Sequence, residues 1–258
     1  YGANLGYDHT FNRFSLGGLV TWSRLDFDDA YSSEEGVIDN QDRDRDGYSW
    51  QLRAGCQFRT DMQAFASYRG YSIEYKEPFD RNGYSRNGDG YTVNAGIGFT
   101  MTGKLNGDVF ASYNERSYDD PRLQEISGWA GGAGLQWNPT YLTSVYGRIS
   151  SSIEETTSEW SSGYFRTLYS VRVDHELKRF LQINGFLSFS DNDYQLLAGA
   201  PDDARAWDEI WRAGIGLSWF INRHARLSAS YEWEELETNV TGDGYETNSI
   251  WLVLGLEY

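Results

Sequence analysis

A chain of 258 residues with a formal net charge of −16 is unsuited to nucleic acid, whose binding needs clustered Lys and Arg. Its single cysteine, Cys56, excludes an internal disulfide framework and any multi-cysteine metal site, and no apolar run approaches the roughly 18–20 residues of a membrane-spanning helix. Only 40% of residues are apolar while 16% are aromatic, with 19 Tyr, 10 Trp and 28 Gly, a balance that favours rings with an apolar body and a polar edge over a Leu/Ile/Val core. The four prolines suit hydrogen-bonded sheets, and Cys56 reads as a small apolar residue on a packed or lipid-facing surface. Residues 1–15 are strand-like rather than a basic segment followed by an apolar stretch, so a leader has been removed or the chain begins part-way through a longer protein.

In chain order, period-2 alternation recurs throughout and no helical period is sustained. Thirteen strands are expected, at 1–8, 14–25, 47–59, 62–75, 90–101, 105–117, 127–137, 142–154, 163–175, 180–190, 208–221, 225–236 and 246–258. Their connections alternate in length. Short turns fall at His9–Arg13, Thr60–Asp61, Thr102–Lys104, Asn138–Tyr141, His175–Arg179 and Asn222–His224; long loops fall at 26–46, 76–89, 118–126, 155–162, 191–207 and 237–245. A hairpin unit thus recurs about every 40 residues, a period shared with propeller blades, but each unit holds two long strands rather than four short ones.

Apolar rows can be named. Tyr91, Val93, Ala95, Ile97, Phe99 and Met101 alternate with Thr92, Asn94, Gly96, Gly98 and Thr100. Leu181, Ile183, Gly185, Leu187 and Phe189 alternate with polar residues and Phe186, and Trp211, Ala213, Ile215, Leu217, Trp219 and Ile221 with Arg212, Gly214, Gly216 and Ser218. A soluble sandwich would bury such rows against a second sheet. One-sidedness in every strand, no obvious edge strand, and aromatics near strand ends (Trp129 and Trp137, Trp211 and Trp219) favour a membrane barrel instead.

The last strand places Ile250, Leu252, Leu254, Leu256 and Tyr258 on one face and ends on the aromatic. It resembles the closing strand of bacterial outer-membrane barrels. That resemblance implies lipid on the apolar face, a wet interior, and a strand serving as membrane-insertion signal for the barrel assembly machinery. The fold class expected is all-β, a transmembrane antiparallel up-and-down β-barrel forming a single domain over 1–258. Short turns would be periplasmic and the long acidic loops extracellular. An odd count with Tyr258 at the periplasmic rim leaves strand 1 without a returning partner, so at least one further strand before Tyr1 is expected, in a natural barrel of about 14–18 strands; a miscounted hairpin is the competing, second-ranked explanation.

The segments Tyr7-Asp8-His9-Thr10-Phe11-Asn12-Arg13, Asp42-Arg43-Asp44-Arg45-Asp46, Tyr118-Asp119-Asp120-Pro121-Arg122, Trp137-Asn138-Pro139-Thr140, Glu154-Glu155-Thr156-Thr157 and Val173-Asp174-His175-Glu176-Leu177 together resemble the β-barrel porin type 2 family of bacterial outer-membrane proteins. The resemblance spans the chain. Members are often encoded beside exopolysaccharide or holdfast synthesis and export genes, which implies an outer-membrane pore through which a secreted polysaccharide leaves. Members are also longer, with the additional part N-terminal.

Arg53, Arg69, Arg148, Arg172 and Arg212 lie on the polar rows, joined by Asp108, Asp174, Glu232 and Glu234. In a lumen these charges would set a transverse field, arginine could grip carboxylate or phosphate substituents, and Phe186 or Trp251 could stack on sugar rings. The plainer reading is that the arginines pair with lumen carboxylates. Small inward residues (Gly96, Gly98, Gly132, Gly134, Gly214, Gly216) are expected to leave space.

Loop 26–46 is rich in acid: Asp26, Asp28, Asp29, Glu34, Glu35, Asp39, Asp42, Asp44 and Asp46. Asp42, Asp44, Asp46 and Gly47 match the opening of a calcium loop, but the twelfth position is Arg53 where a bidentate Glu is required. These acids are therefore read as solvated, ahead of divalent cations shared with lipopolysaccharide. His9, His175 and His224 lie at turns of the short rim, too far apart for a shared metal and at the wrong rim for a lipase or protease barrel. No metal, cofactor or catalysis is expected. The partners are outer-membrane lipid and lipopolysaccharide, the secreted polysaccharide, and a periplasmic polysaccharide export protein. The rival reading is a structural or adhesive barrel with a closed lumen and acidic surface loops.

Overall fold

The computed structural model describes residues 1–32, 36–38, 40–156 and 158–256. Its main strands are β1 (Gly2–Phe11), β2 (Phe14–Leu25), β5 (Arg45–Arg59), β6 (Met62–Tyr75), β7 (Gly88–Met101), β8 (Leu105–Tyr118), β9 (Ile126–Thr140), β10 (Thr143–Glu155), β11 (Ser161–Lys178), β12 (Leu181–Leu196), β13 (Trp207–Asn222), β14 (Ala225–Thr238) and β15 (Tyr245–Leu256). All thirteen form one antiparallel sheet in chain order, each strand beside its sequence neighbour. β3 (Ala30–Ser32) and β4 (Gly36–Ile38) form a small separate hairpin inside the first long loop, followed by a 3-10 turn at Gln41–Arg43. Alternation alone did not reveal either, because three-residue strands are too short to establish a period.

The short turns suit their residues. Asn12, Thr102 and Gly103 adopt φ of 57°, 58° and 64°, the left-handed region that tight hairpins require and that Asn and Gly enter most readily. Three strands run well past their sequence signals. His9 belongs to β1 and His175 to β11; neither sits in a turn. Asp191, Asn192 and Asp193 continue β12 instead of opening a loop, paired on one side with Thr167, Arg166 and Phe165 and on the other with Glu209, Asp208 and Trp207.

The partition between faces is inverted relative to a soluble domain. Large apolar side chains are exposed along the outer face, among them Leu5, Val20, Leu52, Val109, Leu187, Ile215 and Leu254. Side chains buried along the inner face include Ser67, Ser112, Asn114, Arg116, Ser190 and Asn192. A sandwich would cover the apolar row with a second sheet; no described strand does so. The outer rows match those read from sequence, with Ile250, Leu252, Leu254 and Leu256 opposite Tyr231, Ala229, Leu227 and Ala225. Tyr258 lies outside the described residues, as do Glu34, Glu35 and Asp39.

The sheet curls far enough for β2 and β10 to line one cavity, yet its ends do not meet: β1 pairs only with β2, and β15 only with β14. The uniform strand pattern had suggested no edge strand; the sheet has two.

Along the outer face, aromatic rings contact one another from strand to strand. Trp50, Tyr68, Tyr91, Tyr113 and Trp129 form a ribbon across β5–β9, with centroids 5.1, 5.8, 6.2 and 5.2 Å apart. Tyr169, Phe189 and Trp211 form a second ribbon across β11–β13, at 6.0 and 4.6 Å.

Candidate functional site

The inner surface is the candidate site, because strand parity aims the polar rows there. At the short-turn end a cavity of about 760 Å³ is lined by Arg53, Gln63, Asn106, Asp108, Gln136 and Arg148, with Tyr146 beside them. Arg53 lies over the Phe65 ring at 3.9 Å. Arg148 sits between Gly134 and Ser170 on its neighbouring strands, and among the described residues it forms no ion pair. A second inner cavity of about 350 Å³ gathers Arg172, Asn184, Phe186 and Glu232.

The predicted charges divide into two groups. Arg172 donates to Asp174 at 2.9 Å, and Arg212 is paired with Glu234, whose second oxygen accepts from Tyr245 at 2.6 Å. For these the plainer reading holds: arginine and carboxylate satisfy each other. Arg69 reaches the Ser49 hydroxyl at 3.4 Å and lies 5.9 Å from the Tyr71 ring, and like Arg53 and Arg148 it forms no ion pair among the described residues.

The small inward residues do not all leave space. A Cβ on Gly132 would lie 2.1 Å from the Phe110 ring, and one on Gly214 would lie 2.3 Å from the Phe186 ring. These glycines make room for a neighbour's ring, filling the wall rather than widening the bore. Gly98, with nothing nearer than 3.8 Å, does line the cavity.

At the opposite, long-loop end the lumen is crossed by side chains that the sequence did not single out. β9 and β10 pair only as far as Ala133 opposite Ile149. Beyond that point the end of β10 leans inward, so that Ile153, Glu154 and Glu155 share a small space with Ser23 of β2, Gly47 of β5 and Tyr71 of β6. Glu155 accepts from Tyr75 at 3.0 Å and pairs with the fully buried Arg116 at 3.0 Å. Arg86, itself paired with Asp80 at 2.5 Å in the interior, donates to the carbonyls of Ser158 and Ser161 at 2.8 and 3.1 Å. Tyr118 donates to the Ser162 carbonyl at 2.7 Å. Arg116 shares the inner row of β8 with Asp108, so parity could have found it. Parity places Glu155 on the outer row, and only the bend in β10 brings it inside.

Four acids of the first long loop, Asp26, Asp42, Asp44 and Asp46, are held rather than free. Asp42 pairs with Arg81 at 2.9 Å, Asp44 accepts from the Phe27 amide at 2.7 Å, Asp46 grips Arg24 through both oxygens at 2.7 and 2.8 Å, and Asp26 is paired with Lys76. Asp42, Asp44 and Asp46 thus serve three different donors instead of converging on one ion. The next loops are tied in the same way. Arg122 clasps Asp120 at 2.6 and 2.9 Å, and this guanidinium, with the amides of Arg122 and Ser85, holds the Asp120 carboxyl well below the usual carboxylate range. His175 bonds Thr143 at 2.9 Å and His9 stacks between Tyr7 and Phe11, so neither is a spare ligand.

No curated protein matches the chain. Among solved structures, the Pseudomonas putida toluene transporter TodX is similar at 12% identity over 100% of this chain and 73% of that one, with a TM-score of 0.32. The family described as "Putative beta-barrel porin 2" matches residues 1–258. With an apolar outer face, a polar inner face and thirteen up-and-down strands, the chain belongs to that family of β-barrel porins.

Proposed function

We propose that this protein is an outer-membrane conduit for a secreted polysaccharide, with the short turns in the periplasm, the tied loops outside, and no chemistry of its own. The observation that carries this reading is the 760 Å³ cavity at the short-turn end, lined by amide side chains, by Tyr146 and by Arg53 and Arg148. Side-chain amides match the paired donors and acceptors of sugar hydroxyls, and an arginine outside any ion pair attracts the carboxylate or phosphate substituents of acidic polymers. A periplasmic export protein would dock at the short-turn rim, and lipid and lipopolysaccharide would meet the outer face.

The test is single-channel conductance of the full-length protein in a planar bilayer, with the host's exopolysaccharide added on the short-turn side. Block by the polymer, weakened when Arg148 and Arg53 become Gln, supports the reading. The rival, a structural or adhesive barrel with a closed lumen, is favoured by one observation: the end of β10 crosses the bore at the long-loop rim. A barrel that stays silent under all conditions would establish that rival.

A further inference from the structure

The β9–β10 ladder is interrupted although both strands continue. β9 remains paired with β8 as far as Ile126, and β10 with β11 as far as Glu155. Between them lies a slit of about 450 Å³, bordered by Trp129, Gly131 and Ala133 on one side and Ile149, Ser151, Phe165 and Tyr169 on the other. It is also where the two outer aromatic ribbons fail to join, one ending at Trp129 and the other beginning at Tyr169.

Nothing in the sequence ends the pairing at Ile149. Continuing the register sets Ser150 opposite Gly132, Ser151 opposite Gly131, Ser152 opposite Ala130 and Ile153 opposite Trp129. Faces agree throughout. Ile153 and its β11 partner Phe165 would join Trp129 on the apolar outer face, and the small Ser151 would meet the small Gly131. The outward apolar alternation of β11, through Val173, Val171, Tyr169 and Phe165, runs on past the break. Two strand edges left apart at membrane depth also expose N–H and C=O groups that hydrocarbon cannot satisfy. Against this stands a second, equally specific set of partners inside the lumen: Arg116 and Tyr75 for Glu155, and Arg86 and Tyr118 for the carbonyls that follow. One hairpin with two discrete partner sets is a bistable element.

Resting on the reading of the chain as a pore, we propose that the β10–β11 hairpin is its gate. In the tucked position described here Glu155 latches the end of β10 across the bore. In the zipped position the end of β10 completes its ladder with β9, the slit closes, Glu155 leaves Arg116, and the long-loop end of the lumen opens. Regulation therefore lies in the wall itself.

The experiment uses the full-length protein in bilayers, with Cys56→Ser to remove the native thiol. Gly131→Cys with Ser151→Cys, and separately Ala130→Cys with Ser152→Cys, place thiols at facing positions of the zipped register, where a disulfide requires the strands to be adjacent. Heat-modifiable gel mobility and conductance in reductant confirm that each variant is folded. Oxidation is expected to cross-link at least one pair, to raise conductance several-fold, and to be reversed by reductant. Glu155→Gln is expected to increase the cross-linked fraction. Failure of both pairs to cross-link while their thiols react with maleimide would overturn the gate, as would cross-linking that leaves conductance unchanged. A conductance step on cross-linking with no response to polymer would uphold the gate and remove the polysaccharide reading.

Discussion

Arg116 of β8 reaches past β9 to Glu155 of β10, with Nε and Oε1 3.0 Å apart, and no other ion pair among the described residues joins strands that are not neighbours in the sheet. The guanidinium is fully buried, and its Nη1 has no hydrogen-bond partner among the described residues, so Glu155 supplies the compensating charge. Removing one partner of such a pair costs on the order of 3 kcal/mol, because the other is left buried and charged. Glu155→Ala should lower the stability of the tucked hairpin by about that amount and shift it toward the zipped position, read as slower exchange of those amides of residues 150–155 that gain β9 partners. Arg116→Met combined with Glu155→Ala should recover much of the loss; exchange equal to the wild type in the single variant would refute the latch.

Gly96 and Gly98 lie on the same inner row of β7 but differ in what surrounds them. A Cβ on Gly96 would lie 2.3 Å from the Val109 carbonyl oxygen and 2.8 Å from Phe110 Cα, backbone atoms that cannot swing aside. Gly96→Ala should cost about 1–3 kcal/mol in denaturant unfolding, the usual penalty for overpacking. Gly98→Ala should stay within about 0.5 kcal/mol.

Arg148 contributes charge to the cavity without holding the fold. Arg148→Gln should leave the unfolding midpoint unchanged to within about 0.5 kcal/mol, since no ion pair is broken. Its reversal potential in a KCl gradient should move toward cation selectivity, because Asp108 remains in the same cavity. An unshifted potential would mean that ions bypass this part of the lumen.

Asp120 ties loop 119–125 to the segment at Ser85, and its depressed pKa gives the contribution a definite pH window. A carboxyl whose folded pKa lies below its unfolded value of about 3.9 adds stability at pH values above that value and loses it as pH falls toward the folded pKa. Asp120→Asn should therefore increase protease cleavage in loops 76–87 and 119–125 at neutral pH. The difference from the wild type should shrink steadily below about pH 4. A difference independent of pH would show that loop shape, not charge, holds the contact.

Much of the fold was legible in the chain. β2 and β6 begin and end where the alternation does, because the apolar belt imposes period 2 on every strand that crosses it. β12 was read short at Ser190: Asp191, Asn192 and Asp193 carry turn chemistry, yet beyond the apolar belt a strand can continue with polar residues on both faces. The arginines were placed on the correct face by parity, but which were neutralised depended on carboxylate reach: Asp174 lies two residues along the strand from Arg172, and Glu234 lies opposite Arg212. The latch was invisible for a different reason. Glu155 has outer-face parity, and a bend caused by missing ladder partners is a tertiary event with no local pattern.

The ribbon from Trp50 to Trp129 also limits how the wall can respond to its surroundings. Rings in contact across five strands tie those strands together, so a single strand cannot slide to suit a thinner or thicker bilayer without breaking ring contacts. Hydrophobic mismatch must then be taken up by tilting that half of the barrel as one plate, and the strain collects where the plate ends, beside Trp129. Lipid thickness thereby becomes a mechanical input delivered at the interrupted β9–β10 ladder.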